Sequence, residues 1–252
     1  MSEHFIEEVG VSFAWGRAMQ IVTQPGRKEM TPLTVAITGV DTEEVLSEHD
    51  GIRDELEEVL ARCDKQAVET VANTIFPNSL WNRSEPRHML YERYEAVLPR
   101  LRRASRKNAH GLYFERMIMN GRDDAPNQIE FALNAFGPGM RRSVLQIGVF
   151  DPRKDHSAGR RRGFPCLQHL SFVPDQDGSL SVNAFYASQF MVERAYGNYL
   201  GICRLGRFVA HELGLPLTRV TFHIGLASLD TSKSALVGVL AAIDGAIGKL
   251  EE

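Results

Sequence analysis

Any chemistry in this chain centres on Cys166, which follows Phe164-Pro165 at the entrance to a strand-like stretch. The proline fixes the backbone on one side, which suits a side chain that must point at a ligand. A thiolate is a strong nucleophile once arginines or a neighbouring base favour its ionised form. Arginines are close in sequence: Arg160, Arg161 and Arg162 before the thiol, and Arg141-Arg142 upstream. Two adjacent guanidinium groups make a clamp of paired donors for a phosphate. The basic turn Pro25-Gly26-Arg27-Lys28 is a second candidate for facing phosphate. Ser188 and Gln189 could donate to the same group, and Asn198 carries the donor and acceptors needed to pair with the N3–H and O4 edge of a uracil. Each also has a plain structural reading: a buried cysteine, a solvated arginine pair, a solvent-facing strand, a helix-end asparagine.

The elements that must position these groups follow from hydrophobic period and breakers. Residues 12–24 read as a helix, with Phe13, Met19, Ile21 and Val22 on its apolar side. Leu33 to Val40 reads as a strand. Residues 43–63 form a charged amphipathic helix, and 66–76 continue helically up to Pro77. His88 to Leu98 is a further helix, expected to stop at Pro99, with Arg100 to Lys107 as an exposed basic connection. Gln128 to Phe136 is a short helix closed by Gly137-Pro138-Gly139, and Val144 to Phe150 a strand. Asp151 to Gly163 is a polar loop with five Lys and Arg residues. Gln168 to Val173 and Leu180 to Phe190 make a hairpin around Pro174-Asp175-Gln176-Asp177-Gly178. Residues 193–214 are the longest helix, Val220 to Leu229 the last strand, and the tail is helical. Helices and strands mix without regular βαβ alternation, so the fold class is α+β.

With 252 residues and 43% hydrophobic content, the chain can bury one sizeable core, and one domain is the simplest count. No apolar run reaches the length of a membrane span. The polar start Met1-Ser2-Glu3-His4 does not read as a signal peptide. Three sparse cysteines, Cys63, Cys166 and Cys203, form no disulfide framework or zinc motif, and a reducing cytoplasm fits them best. A net charge of -3 and a pI near 6.3 argue against a general nucleic-acid binder, although the charge is unevenly spread. The arginine-rich loop Arg153–Arg162 admits a larger anionic substrate, but the acidic balance favours a solvated loop.

In combination, these residues resemble the thymidylate synthase family. Asn127-Gln128-Ile129, the helix after it, Gly137-Pro138-Gly139-Met140-Arg141-Arg142, the strand and Asp151-Pro152 are similar to the family's "DQI…P.SRR…W.P" segment. Phe164-Pro165-Cys166 resembles its P-P-C nucleophile motif, and the stretch from Leu180 to Ser188 its Q-R-S-x-D strand. Ser188 and Asn198 stand ten residues apart, the family's spacing between its phosphate-binding serine and base-reading asparagine. Gly225 falls in the G-D-x-H-x-Y position, His110-Gly111-Leu112-Tyr113 resembles G-P-x-Y, and Leu90 to Tyr94 resembles I-W-x-x-W. The likeness covers residues 88–230 closely and the first 85 loosely.

The resemblance implies a mixed β-sheet packed with long helices, a homodimer, and Cys-dependent transfer of a methyl or hydroxymethyl group to C5 of a pyrimidine nucleotide. Cys166 would add to C6. Arg141 and Arg142 would reach the partner's nucleotide phosphate, with Arg27 and Ser188 as further contacts. Asn198 would hold the base edge, Tyr113 would join the proton-transfer network, and Glu69, which lies 22 residues before Tyr91, would be the general acid/base. The one-carbon donor would be 5,10-methylenetetrahydrofolate. Departures stand against part of this. Leu167 replaces the histidine after the nucleophile, and Ala187 and Phe190 replace the motif's arginine and folate-facing aspartate. Ser228 and Asp230 stand where the family has its sugar-binding His and Tyr, leaving Asp230 as a hydroxyl acceptor. No counterpart of the closing C-terminal segment is visible. Two alternatives follow: a folate-free enzyme using the same Cys addition, and a catalytically silent nucleotide-binding dimer.

Overall fold

The computed structural model describes residues 4–40, 46–105, 108, 111–119, 127–156 and 164–251. Helices and strands are mixed, with parallel and antiparallel pairs in the same sheet. The main sheet has six strands in the order β1 (Phe5–Val9), β3 (Leu33–Thr38), β8 (Leu217–Ile224), β6 (Leu180–Tyr186), β5 (Leu167–Pro174) and β4 (Gln146–Gly148). The β1–β3 and β6–β8 pairs are parallel and the rest antiparallel. A small second sheet joins β2 (Glu29–Met30), β9 (Ala227–Ser228) and β7 (Gln189–Phe190).

Alternation along the central strands sets the layers, because successive side chains point to opposite faces. Leu180, Val182, Ala184 and Tyr186 of β6, with Val220, Phe222 and Ile224 of β8, are buried. Against this sheet pack α8 (Ala195–Leu213) and α1 (Val11–Val22), with α6 (Gln128–Ala135) beside β4. The opposite face carries Ser171, Asn183, Thr221 and His223 and is only half-buried, while Phe185 is 56% exposed.

Between α1 and α8 in the chain lie α2 (Asp50–Arg62), which touches α1, and α3 (Val68–Ile75), which packs on α8. Glycine decides how close α3 comes to α8. A Cβ on Gly197 would lie 2.6 Å from Val71 Cβ and 2.8 Å from the Val68 carbonyl oxygen, and one on Gly201 would lie 2.8 Å from the Ala72 oxygen.

Several expected boundaries move. Pro99 does not end its helix: α4 runs His88–Ala104 through it. The proline forfeits one backbone bond, but the last turn is tied down by Arg102 on Glu115 (2.5 Å) and by Asn108 Nδ2 on the Leu101 carbonyl (2.7 Å). The first six residues of the expected basic connection therefore divide between helix and Ser105, and 106–107 lie outside the described residues. The expected strand 144–150 is shorter, because Arg142–Val144 form a 3-10 turn before β4. The polar loop opens with α7 (Pro152–Asp155), where the Asp151 carboxylate accepts from the Arg153 amide at 3.0 Å; its remainder, 157–163, is not described. The strand expected over 220–229 begins earlier, at Leu217, and breaks at Gly225 into β8 and β9. The edge strand β1 and the short helix α5 (Tyr113–Ile118) carry too little period to be read from sequence.

Candidate active site

Cys166 stands one residue before β5, where the sheet is anchored from both sides. Its carbonyl accepts from the Ala187 amide at 2.9 Å, and Leu167 pairs in register with Tyr186. The bend after Tyr186 brings Ser188 back over the thiol, so that Sγ and Ser188 Oγ are 3.7 Å apart, within hydrogen-bond reach of sulfur. Cys166 is half-buried, whereas Cys203 is fully buried in α8 and its thiol is pushed up to about 12 by that burial. Only the first of these two thiols is placed for chemistry.

Tyr113, the first residue of α5, stands beside this pair. Burial, then the nearby Cys166 sulfur, push its phenol up to about 12, against the pull of the Leu167 and Cys166 amides and of Arg194. It is therefore a neutral phenol near neutral pH, able to donate a hydrogen bond but not to act as a resident base. Tyr186 lies behind it, raised well above the ordinary tyrosine range by burial and next by Tyr113 and Cys166. Arg194 caps the start of α8 and pairs with Glu193 at 3.0 Å. Neither Arg194 nor Tyr186 stood out in the sequence. Arg194 was legible only as one turn before Asn198 on the same helix, whose backbone amide bonds the Arg194 carbonyl at 2.9 Å.

Asn198 sits in the first turn of α8 and is 4% exposed. Arg27 closes the turn after α1, its amide on the Gln24 carbonyl at 3.0 Å. The next residue, Lys28, accepts from the Leu229 amide, which sets this turn beside the 229–230 segment.

Four expected site residues do not join the thiol. Asp230 is committed to the fold: its carboxylate accepts from the Val192 and Glu193 amides at 2.9 and 3.2 Å and pairs with Lys65 at 2.8 Å. Three of its roughly four acceptor positions are filled and its side chain is only 7% exposed, so it is poorly placed for a sugar hydroxyl. Glu69 forms a two-pronged pair with Arg204 at 2.7 and 2.9 Å on the outside of α3. The Arg204 hydrogen bond, opposed by burial, holds Glu69 below the usual carboxylate range. A general acid for neutral pH needs the reverse shift. Arg142 donates to the Pro174 carbonyl at 3.0 and 2.6 Å, at the far end of β5 from Cys166. Eight strand residues separate them, about 26 Å at ~3.3 Å per residue. Arg141, exposed beside it, is equally remote. His110 of the G-P-x-Y-like stretch lies outside the described residues.

A cleft of about 550 Å³ opens elsewhere, between the start of α4, α6 and the end of α8, and none of the candidate site residues lines it. Among the described residues no cluster of His, Cys, Asp or Glu is suited to a metal ion. No described helix is long and apolar enough to cross a membrane. The chain matches no protein-family model and no curated protein.

Proposed function

We propose that this chain is a divergent thymidylate synthase-like enzyme, a single α+β domain that adds a one-carbon group to C5 of a pyrimidine nucleotide in the cytoplasm. The observation that carries the reading is the convergence of Cys166, Ser188 and Tyr113, residues far apart in sequence, with Cys166 Sγ 3.7 Å from Ser188 Oγ. The Cys166 thiolate attacks C6 and forms the S–C6 bond. The C5=C6 electron pair moves toward C5 and O4, and Tyr113 donates a hydrogen bond as that charge develops. C5 then attacks a one-carbon electrophile. Loss of the C5 proton to solvent and departure of the thiolate restore the C5=C6 bond. Folate is left out of these steps, because the position expected to carry its carboxylate holds the ring of Phe190, 52% exposed.

The site is incomplete in one copy. Cys166 and Arg142 stand at opposite ends of β5, so a two-fold axis through the half-buried sheet face would bring Arg141 and Arg142 of the partner subunit toward Cys166. The sheet face, six strands at ~4.8 Å and about 20 Å long, offers about 580 Å², so a stable interface of roughly 800 Å² per partner would also take in its margins. This supports a homodimer.

The test is mass spectrometry of the protein with 5-fluoro-UMP or 5-fluoro-dUMP, each with and without methylenetetrahydrofolate. An adduct on Cys166 that needs folate assigns the carrier after all. An adduct without folate supports the addition chemistry with another donor. No adduct under any condition contradicts the uracil-nucleotide reading and leaves the silent binding dimer.

A further inference from the structure

Two exposed aromatic rings flank the thiol and the serine in the chain. Phe164, two residues before Cys166, is 41% exposed, and Phe190, two residues after Ser188, is 52% exposed. Large apolar rings left in water beside a nucleophile gain by stacking on a flat partner. Phe164 already meets Phe150 at 5.8 Å between ring centres, and Phe150 meets His156 at 5.3 Å. The aromatic row thus leads from the thiol onto α7.

That row runs into a cationic margin. Asp155 of α7 is bound by Arg116 of α5 at 2.7 Å, and Glu115 of α5 by Arg102 of α4, so α7, α5 and the end of α4 adjoin. Over residues 100–104, 113–118 and 150–156 the cations are Arg100, Arg102, Arg103, Arg116, Arg153 and Lys154, and the carboxylates are Glu115, Asp151 and Asp155. Six against three is a local excess of +3 in a chain whose total is -3. Two of the three carboxylates, Glu115 and Asp155, are buried and already paired with arginines. Arg100, Arg103, Arg153 and Lys154 are all exposed.

Rings that accept bases of any sequence, beside a cationic track for the backbone, are the combination that holds single-stranded nucleic acid. We propose that the pyrimidine attacked by Cys166 is carried in a single-stranded polynucleotide, with neighbouring bases stacked on Phe164 and Phe190 and the backbone following α7 toward the end of α4. This rests on the addition chemistry proposed above and names the form in which the base arrives.

The experiment compares a single-stranded oligoribonucleotide of about ten residues carrying one 5-fluorouridine with 5-fluoro-UMP, using the full chain. Binding is read by fluorescence anisotropy and the Cys166 adduct by mass spectrometry. The oligonucleotide is expected to react faster than the mononucleotide. About four phosphate contacts would weaken its binding on the order of 50-fold between 50 and 200 mM salt. Phe164→Ala is expected to weaken it by about 5- to 100-fold. The double variant Arg153→Glu/Lys154→Glu is expected to flatten the salt dependence while leaving the mononucleotide adduct unchanged. An adduct with the mononucleotide alone, or oligonucleotide binding indifferent to salt and to both variants, overturns the inference and leaves the addition chemistry standing. An adduct with neither probe removes both.

Discussion

At Cys166 the protein places a half-buried thiol within 3.7 Å of a hydroxyl and beside a phenol that burial keeps neutral. The neutral phenol matters because charge develops on the base oxygen as sulfur adds, and a donor already aimed there costs no reorganisation. Tyr113→Phe keeps the ring and removes the donor, and is expected to slow Cys166 adduct formation about 100-fold with little change in melting temperature. An unchanged rate would remove Tyr113 from the chemistry. The nearness of Cys166 and Ser188 was legible in the sequence because motif order survives without knowledge of the fold, and the ten-residue spacing leads from Ser188 to Asn198 in the first turn of α8. Asp230 and Glu69 were not correctly legible as site residues. What a carboxylate does depends on its partners, and Lys65 and Arg204 come from distant segments. Arg194 did not stand out for the same reason: its charge bears on Tyr113, from a segment about 80 residues away.

Among elements, α8 is the one whose placement the site depends on, since it carries Arg194 and Asn198 at its start. Gly197 and Gly201 let α3 approach it at backbone distance. Gly197→Ala would put a Cβ 2.6 Å from Val71, and is expected to cost about 2 kcal/mol in urea unfolding and to weaken nucleotide binding through the adjacent Asn198. Binding lost without any loss of stability would contradict a packing role. A second tie, Arg116 with Asp155, fixes α7 to α5 at 8% and 6% side-chain exposure. Burial, the largest single influence, would raise the Asp155 carboxyl, but the Arg116 hydrogen bonds, the Asp151 amide and the Arg116 charge together outweigh it and hold the group below the ordinary aspartate range. A depressed folded value means that the stabilisation is present above the unfolded value, about 3.9, and is lost as pH falls through the folded one. Asp155→Asn is therefore expected to cost about 3 kcal/mol at pH 7 and to lose that difference progressively below about pH 4, read by chemical denaturation across pH. A pH-independent difference would mean that the pair contributes only shape. The sequence showed α8 and the hairpin plainly, since both carry a strong period. It misplaced the end of α4, because a proline rule is local while the contacts holding Arg102 and Leu101 are not.

For the molecule as a whole, the proposed homodimer rests on the half-buried sheet face and on the separation of Arg142 from Cys166. Phe185, 56% exposed and stacked on His223 with ring centres 5.5 Å apart, lies on that face. Phe185→Asp is expected to convert a dimer to a monomer in sedimentation equilibrium, with the circular dichroism spectrum retained; a dimer unaffected by it would place the interface elsewhere. The mixed α+β class was legible from the lack of βαβ alternation, but the sheet order was not, because pairing β3 with β8 joins segments about 180 residues apart. The central claim, that Cys166 adds reversibly to a pyrimidine ring, is tested most directly by exchange of the C5 hydrogen. Addition at C6 makes the C5–H labile, so no one-carbon donor is needed. Proton NMR of UMP and of a short uridine-containing oligonucleotide in deuterated buffer should show loss of the C5–H signal with the protein present, and none with Cys166→Ser. Exchange that persists in the Cys166→Ser variant, or that fails with both substrates in the unaltered protein, would contradict the account.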